Sequence, residues 1–321
     1  MSNIKKIELH LHLEGAAPPA FIRALAAEKR VDLSGIFDER GHYRYADFND
    51  FLRVYEAATS VIQTPADYAR LLREVLERAA ETGVIYAELF VSPEFCGKGD
   101  LSAWRDYLAA MEEVAAKMRS DIDSRGIVTP IRHFSPDRAR ASAVCAAETA
   151  GGWITGLGLG GAETVGKATD FAWSFDCARE AGLGLTCHAG EWGGPDSIRE
   201  ALALGVTRIG HGVRAIEDPS LVDDLAEKAI TLEVCPGSNI ALGLWRRWPD
   251  HPIARLMDRG VRVTVSTDDP PFFHTDMDRE YRMLADSFGW TEAEFSQINQ
   301  WAADAAFCDE ATRTRLRKDF A

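Results

Sequence analysis

Apolar residues along the chain alternate between two rhythms. Short apolar-rich runs, such as Ile7–Leu13 and Val84–Val91, have the character of buried strands. Further runs of this kind cover 127–132, 154–159, 184–191, 207–212, 230–236 and 261–266, the first of these weakened by Pro130. Between them lie segments with apolar positions three and four residues apart, as in Phe21–Glu28, Trp104–Met118, Thr169–Glu180 and Leu221–Lys228. Thr64-Pro65-Ala66-Asp67 has the composition of a helix start, and Leu71, Leu72 and Val75 share one face of the helix it begins. Eight strands in strict alternation with helices predict a parallel α/β sheet, and eight is the number that closes a (β/α)8 TIM-type barrel. A doubly wound open sheet is the runner-up. No linker or compositional break divides residues 1–321, so one barrel domain is expected.

Two stretches exceed what a barrel needs. The polar region from Ser34 to Asn49, followed by Phe51, Leu52 and Tyr55 at helical spacing, predicts a lid inserted after strand one. The residues from Met283 onward predict extra C-terminal helices packed outside.

Composition narrows the class. A formal net charge of −14 argues against a nucleic-acid surface, which needs clustered positive charge. Met1–Lys6 runs into the first strand without an apolar leader, and no stretch approaches a membrane span, so no membrane partner and a cytoplasmic location are expected. Six cysteines lack any CxxC or paired spacing, which disfavours a disulfide framework and structural zinc clusters.

The chemistry collects at strand ends. In a parallel barrel, functional side chains stand at the C-terminal ends of the strands. His10 and His12, two apart on strand one, point the same way. His188 and Glu191 end strand five, His211 strand six, and Asp268 and Asp269 strand eight. A lone histidine at a strand end is ordinarily a hydrogen-bonded core residue, and Asp268-Asp269-Pro270 has the composition of a turn. Convergence at one barrel mouth favours the alternative, a site of three imidazoles and a carboxylate suited to Zn²⁺, with Fe²⁺ also compatible. Such an ion lowers the pKa of a bound water from ~15.7 to roughly 7. Glu191 is then the candidate acid, which requires burial to keep it protonated, and His211 the candidate orienting group. Gly156–Gly161 lacks the Lys-Ser/Thr pair of a phosphate loop. Of the remaining histidines, His133 is expected to be structural and His274 is a weaker candidate for lining the pocket.

The chain resembles the adenosine and adenine deaminases of the amidohydrolase superfamily. The motifs that carry the resemblance are residues 10–15 (HLHLEG), 187–191 (CHAGE), 208–212 (RIGHG), 232–239 (LEVCPGSN) and 266–270 (STDDP), in the expected order. The resemblance implies one zinc per subunit held by His10, His12, His188 and Asp268. It implies that Glu191 protonates purine N1 while hydroxide, oriented by His211, attacks C6. Asp269 would meet N7 and the Gly161 backbone N3, under an apolar lid containing Phe48, Phe51, Leu52 and Tyr55.

Two departures bear on the substrate, a small aminopurine. Glu14 stands where relatives acting on adenosine often have an Asp that contacts ribose, and adenine-specific relatives tend to have Glu there. Residues 15–19 and 266–273 look more like bacterial adenosine deaminases, so adenosine is the first expectation and adenine or another 6-aminopurine the alternative. Gly158 and Ala162 replace two acids usual in the strand-four motif. A catalytically inactive purine-binding protein is the rival from another class.

Overall fold

The computed structural model describes residues 4–320; the leaderless start expected at Met1–Asn3 lies outside them. Eight strands are present: β1 (Lys6–His12), β2 (Val84–Val91), β3 (Asp123–Val128), β4 (Ile154–Leu157), β5 (Gly184–Ala189), β6 (Arg208–His211), β7 (Thr231–Val234) and β8 (Arg262–Val265). They pair in sequence order and in parallel. At the seam between β8 and β1, His12 N donates to Asp268 O at 3.0 Å and Asp268 N to His10 O at 3.1 Å. Side chains extend that closure. Ser266 Oγ accepts from His10 N at 3.1 Å, and Glu8 Oε1 accepts from Thr267 N at 2.9 Å. The result is the expected TIM-type barrel.

Helices alternate with the strands as the apolar spacing predicts. Pro65–Glu81 begins with a reciprocal capping box between Thr64 and Asp67, which satisfies amide donors that a helix start leaves free. Its buried face is Tyr68, Leu71, Leu72, Val75, Leu76 and Ala79. Leu71, Leu72 and Leu76 have no solvent exposure, and each such side chain contributes roughly 1.5–3 kcal/mol on burial.

Two boundaries differ most from expectation. β3 spans Asp123–Val128 rather than 127–132. Its polar start is tolerated because Asp123 pairs with Arg125 at 2.6 Å and with Arg315 at 2.7 Å. The C-terminal helices begin at Met277 rather than Met283, with Asp276 as the N-cap accepting from Arg279 N. They are Met277–Phe288, Glu292–Ala305 and Glu310–Asp319.

The C-terminal segment also closes the barrel floor. A Cβ on Gly184 would lie 2.3 Å from the Phe307 ring, so glycine there makes room for that aromatic plug. Arg208 stacks on Phe307 at 3.7 Å from the ring centre. The six cysteines are unpaired. Among the described residues, no helix is long and apolar enough to cross a membrane.

Candidate active site

Strand geometry brings the expected histidines together at the barrel mouth. His12 Nε2 and His188 Nε2 are 3.1 Å apart, His12 Nε2 and Asp268 Oδ1 3.3 Å, and His10 Nε2 and Asp268 Oδ1 3.5 Å. These separations match the ~3.3 Å edges of a tetrahedron of donors about 2.0–2.1 Å from one ion. Ligand-type atoms of His10, His188, His211 and Asp268 all lie within 4.8 Å of one another.

The protonation pattern supports the same fit. His10 Nδ1 donates to Glu233 Oε2 at 2.8 Å, which leaves Nε2 as a lone pair facing the cluster. That Nε2 is buried and has no hydrogen-bond partner. Burial alone would raise Glu233, but the Arg208 charge and the hydrogen bonds from His10 and Thr186 hold it at about 2. Buried donor nitrogens beside a carboxylate, with a fixed tautomer behind one of them, are a suitable cradle for a borderline-soft divalent ion.

His211 and Asp268 both adopt left-handed backbone conformations, with φ of 62° and 67°. Non-glycine residues in this region carry strain, and such strain concentrates at functional sites. His211 Nε2 lies 3.9 Å from Glu191 Oε1 and 4.0 Å from Asp268 Oδ2.

Glu191 is 6% exposed, and burial followed by the charges of Asp268, Glu163 and Asp269 pushes its pKa well above the carboxylate range. Burial thus favours the protonated form, the form a general acid must present. Burial and the neighbouring Asp268 likewise push Asp269 up, and Asp269 Oδ1 is buried without a partner.

The loop that carries Glu191 is wrapped around another acid. Glu163 accepts backbone N–H groups from Gly190 at 2.6 Å, Glu191 at 3.0 Å, Trp192 at 2.7 Å and Gly193 at 2.9 Å, and the Ser197 hydroxyl at 2.5 Å. Four consecutive amides turned inward fix the direction in which the Glu191 side chain leaves the backbone.

The cavity above this floor is lined on one side by Phe48, Phe51, Leu52 and Tyr55 from the helix Phe48–Thr59, and on the other by His12, His188, Glu191, His211, Asp268, Asp269 and Gly161. Phe48 packs on Trp192 with ring centres 4.8 Å apart, next to the acid. Glu14 does not line this cavity. It is 3% exposed, its Oε1 accepts the Tyr68 hydroxyl at 3.0 Å, and burial pushes its pKa up to about 7.

Several residues here escaped the sequence reading. His133, expected to be structural, lines the cavity, accepting from Ala162 N at Nδ1 and meeting Glu56 at 3.3 Å through Nε2. His274 instead lines a separate side cavity with His42. Ser92, immediately after β2, has a buried hydroxyl without a partner, and its place at a strand's C-terminal end was the available signal. Ser238 donates to Asp268 Oδ2 at 2.7 Å.

The profile of the family described as adenosine deaminase matches residues 5–321. This chain belongs to the adenosine deaminase family. Within it, the chain is 48% identical over 321 residues to an adenine deaminase of Rhizobium rhizogenes, covering 98% of both chains. It is 46% identical over 318 residues to an adenine deaminase of Agrobacterium fabrum, covering 98% of this chain and 97% of that one. Among solved structures, an adenine deaminase from Arthrobacter aurescens superposes with a TM-score of 0.90 at 30% identity, covering 99% and 98% of the two chains. A zinc-bound amidohydrolase from Burkholderia ambifaria superposes with a TM-score of 0.89 at 27% identity, covering 99% and 90%. Family membership makes the chain a hydrolase that deaminates aminopurines. Adenosine as the first expectation finds no support among these relatives, which are named for adenine.

Proposed function

We propose that this enzyme is a zinc-dependent adenine deaminase, converting adenine and water to hypoxanthine and ammonia in purine salvage. The observation that carries the deaminase chemistry is a buried Glu191, its carboxyl pushed up by burial, beside a three-histidine, one-aspartate cluster in which His10 Nε2 has no partner. His10, His12, His188 and Asp268 would hold the ion, which when bound acidifies water so that a nucleophile is available at neutral pH.

The protein's own groups account for the rest. Glu191 delivers its proton to ring nitrogen N1, which makes C6 electrophilic as charge accumulates on the ring. His211 orients the attacking oxygen. Asp269 meets N7 through its unpartnered Oδ1, and burial beside Asp268 favours the protonated carboxyl that donates to that lone pair. The Gly161 backbone meets N3. Phe48, Phe51, Leu52 and Tyr55 form the apolar cover and exclude bulk water, which strengthens each of these polar contacts. The whole chain serves as one catalytic barrel.

Preference for the free base rests on the named relatives and on Glu14. At the end of β1 its longer side chain is tied to Tyr68 inside the wall and is not presented to a ligand, so a ribose would lack its carboxylate partner. Incubating the zinc-loaded protein with adenine tests this reading. Stoichiometric hypoxanthine and ammonia are expected, abolished by a chelator and restored by zinc. Zinc-loaded protein that releases no ammonia from adenine would overturn it.

A further inference from the structure

His211, Asn239 and His251 form a buried hydrogen-bonded chain behind the cavity, and its protons can be placed from its far end. Ile253 N lies 3.3 Å from His251 Nδ1. A backbone amide can only donate, so His251 Nδ1 is bare. Burial pushes His251 down to about 3, and the neutral ring carries its single proton on Nε2. That nitrogen lies 3.1 Å from Asn239 Oδ1 and donates to it. The Asn239 amide is thereby oriented, and its Nδ2 lies 3.4 Å from His211 Nδ1 and donates in turn. His211 Nδ1 is therefore a lone pair, and the ring proton sits on Nε2, the nitrogen facing Glu191 and Asp268. Turning the amide over would leave His251 with no proton on either nitrogen.

We propose that Asn239 and His251 are positioning residues that lock His211 in its Nε2–H tautomer, so that His211 donates a hydrogen bond to the reacting oxygen and cannot accept a proton there. The proposal rests on the reading that His211 faces the attacking oxygen. It assigns a purpose to His251, which is 1% exposed, packed under Trp245 with ring centres 5.1 Å apart, and remote from the substrate cavity. It also separates the work of the two groups: Glu191 moves a proton, whereas His211 holds one.

The test combines a spectroscopic and a kinetic readout. In zinc-loaded protein with 15N-labelled histidine, long-range 1H–15N correlations, assigned with His211→Asn, are expected to show His211 protonated at Nε2 only. Asn239→Asp replaces the amide donor with a carboxylate acceptor and should draw the proton to Nδ1. Its kcat should fall about 100-fold, with KM for the aminopurine within about threefold and zinc content unchanged. His251→Leu should lose kcat similarly, whereas His251→Gln, whose amide can still donate to Asn239, should recover most of it. A proton on Nδ1 of wild-type His211 would overturn the proposal. So would equal kcat losses in His251→Gln and His251→Leu, which remain informative if Asn239→Asp fails to fold. If the protein deaminates no purine, the spectrum still reads the tautomer while the functional reading fails separately.

Discussion

The carboxylate of Glu163 accepts the backbone N–H of Glu191 at 3.0 Å, so one buried acid holds the main chain of another. Four further donors converge on Glu163, and a neutral amide in its place would offer one acceptor oxygen and an NH2 directed against backbone N–H groups. Each donor left unsatisfied costs about 1–3 kcal/mol. Glu163→Gln is expected to lower kcat by about 10²–10³ through misplacement of Glu191, while zinc stays bound. Steady-state kinetics with metal analysis would check this, and unchanged kcat would refute the positioning role.

Glu191→Gln removes the proton that the site keeps in place but preserves shape. The candidate ligands His10, His12, His188 and Asp268 do not include this residue, so zinc content should be unchanged. Turnover should fall by about 10²–10⁴, the usual contribution of a general acid. A variant with near-normal kcat would show that another group protonates the ring.

Gly161 has φ +88°, and a Cβ there would lie 2.8 Å from His133 Nδ1 and 3.1 Å from Ile131. Gly161→Ala therefore combines a strained backbone with a clash at the cavity wall. The expected result is a KM for adenine raised at least ~10-fold, the scale of one lost hydrogen bond. An unaltered KM would remove Gly161 from the binding site.

Glu280 predicts a pH signature in stability rather than activity. Burial raises its pKa from 4.5 to about 8, opposed by the Thr275 and Gly237 hydrogen bonds. Between these values the native state holds a proton that the unfolded chain has released. Its contribution therefore falls as pH rises through that window, by at most ~1.4 kcal/mol per pH unit. Glu280→Gln should gain thermal stability relative to wild type at pH 9 and not at pH 4.5. A difference in melting temperature that is flat with pH would contradict the assignment.

The barrel and its mouth were legible because apolar runs and helical spacing are local, as are His10 and His12 on one strand face. What was not legible depends on distant partners. The polar start of β3 makes sense only once Arg315, 192 residues away, is seen to pair with Asp123. The turn of Glu14 into the wall depends on Tyr68, 54 residues on. Glu163 directly follows Ala162, yet its partners are mostly backbone amides, which no side-chain pattern reveals. Asn239 and His251 acquire meaning only through the single N–H of Ile253.

Specificity for the free base is tested most directly by the ratio of kcat/KM for adenine to that for adenosine. Because a sugar lacks its partner at Glu14, the zinc-loaded enzyme should favour adenine by at least ~100-fold, about 2.7 kcal/mol in transition-state binding. Equal values, or a preference for adenosine, would contradict the account.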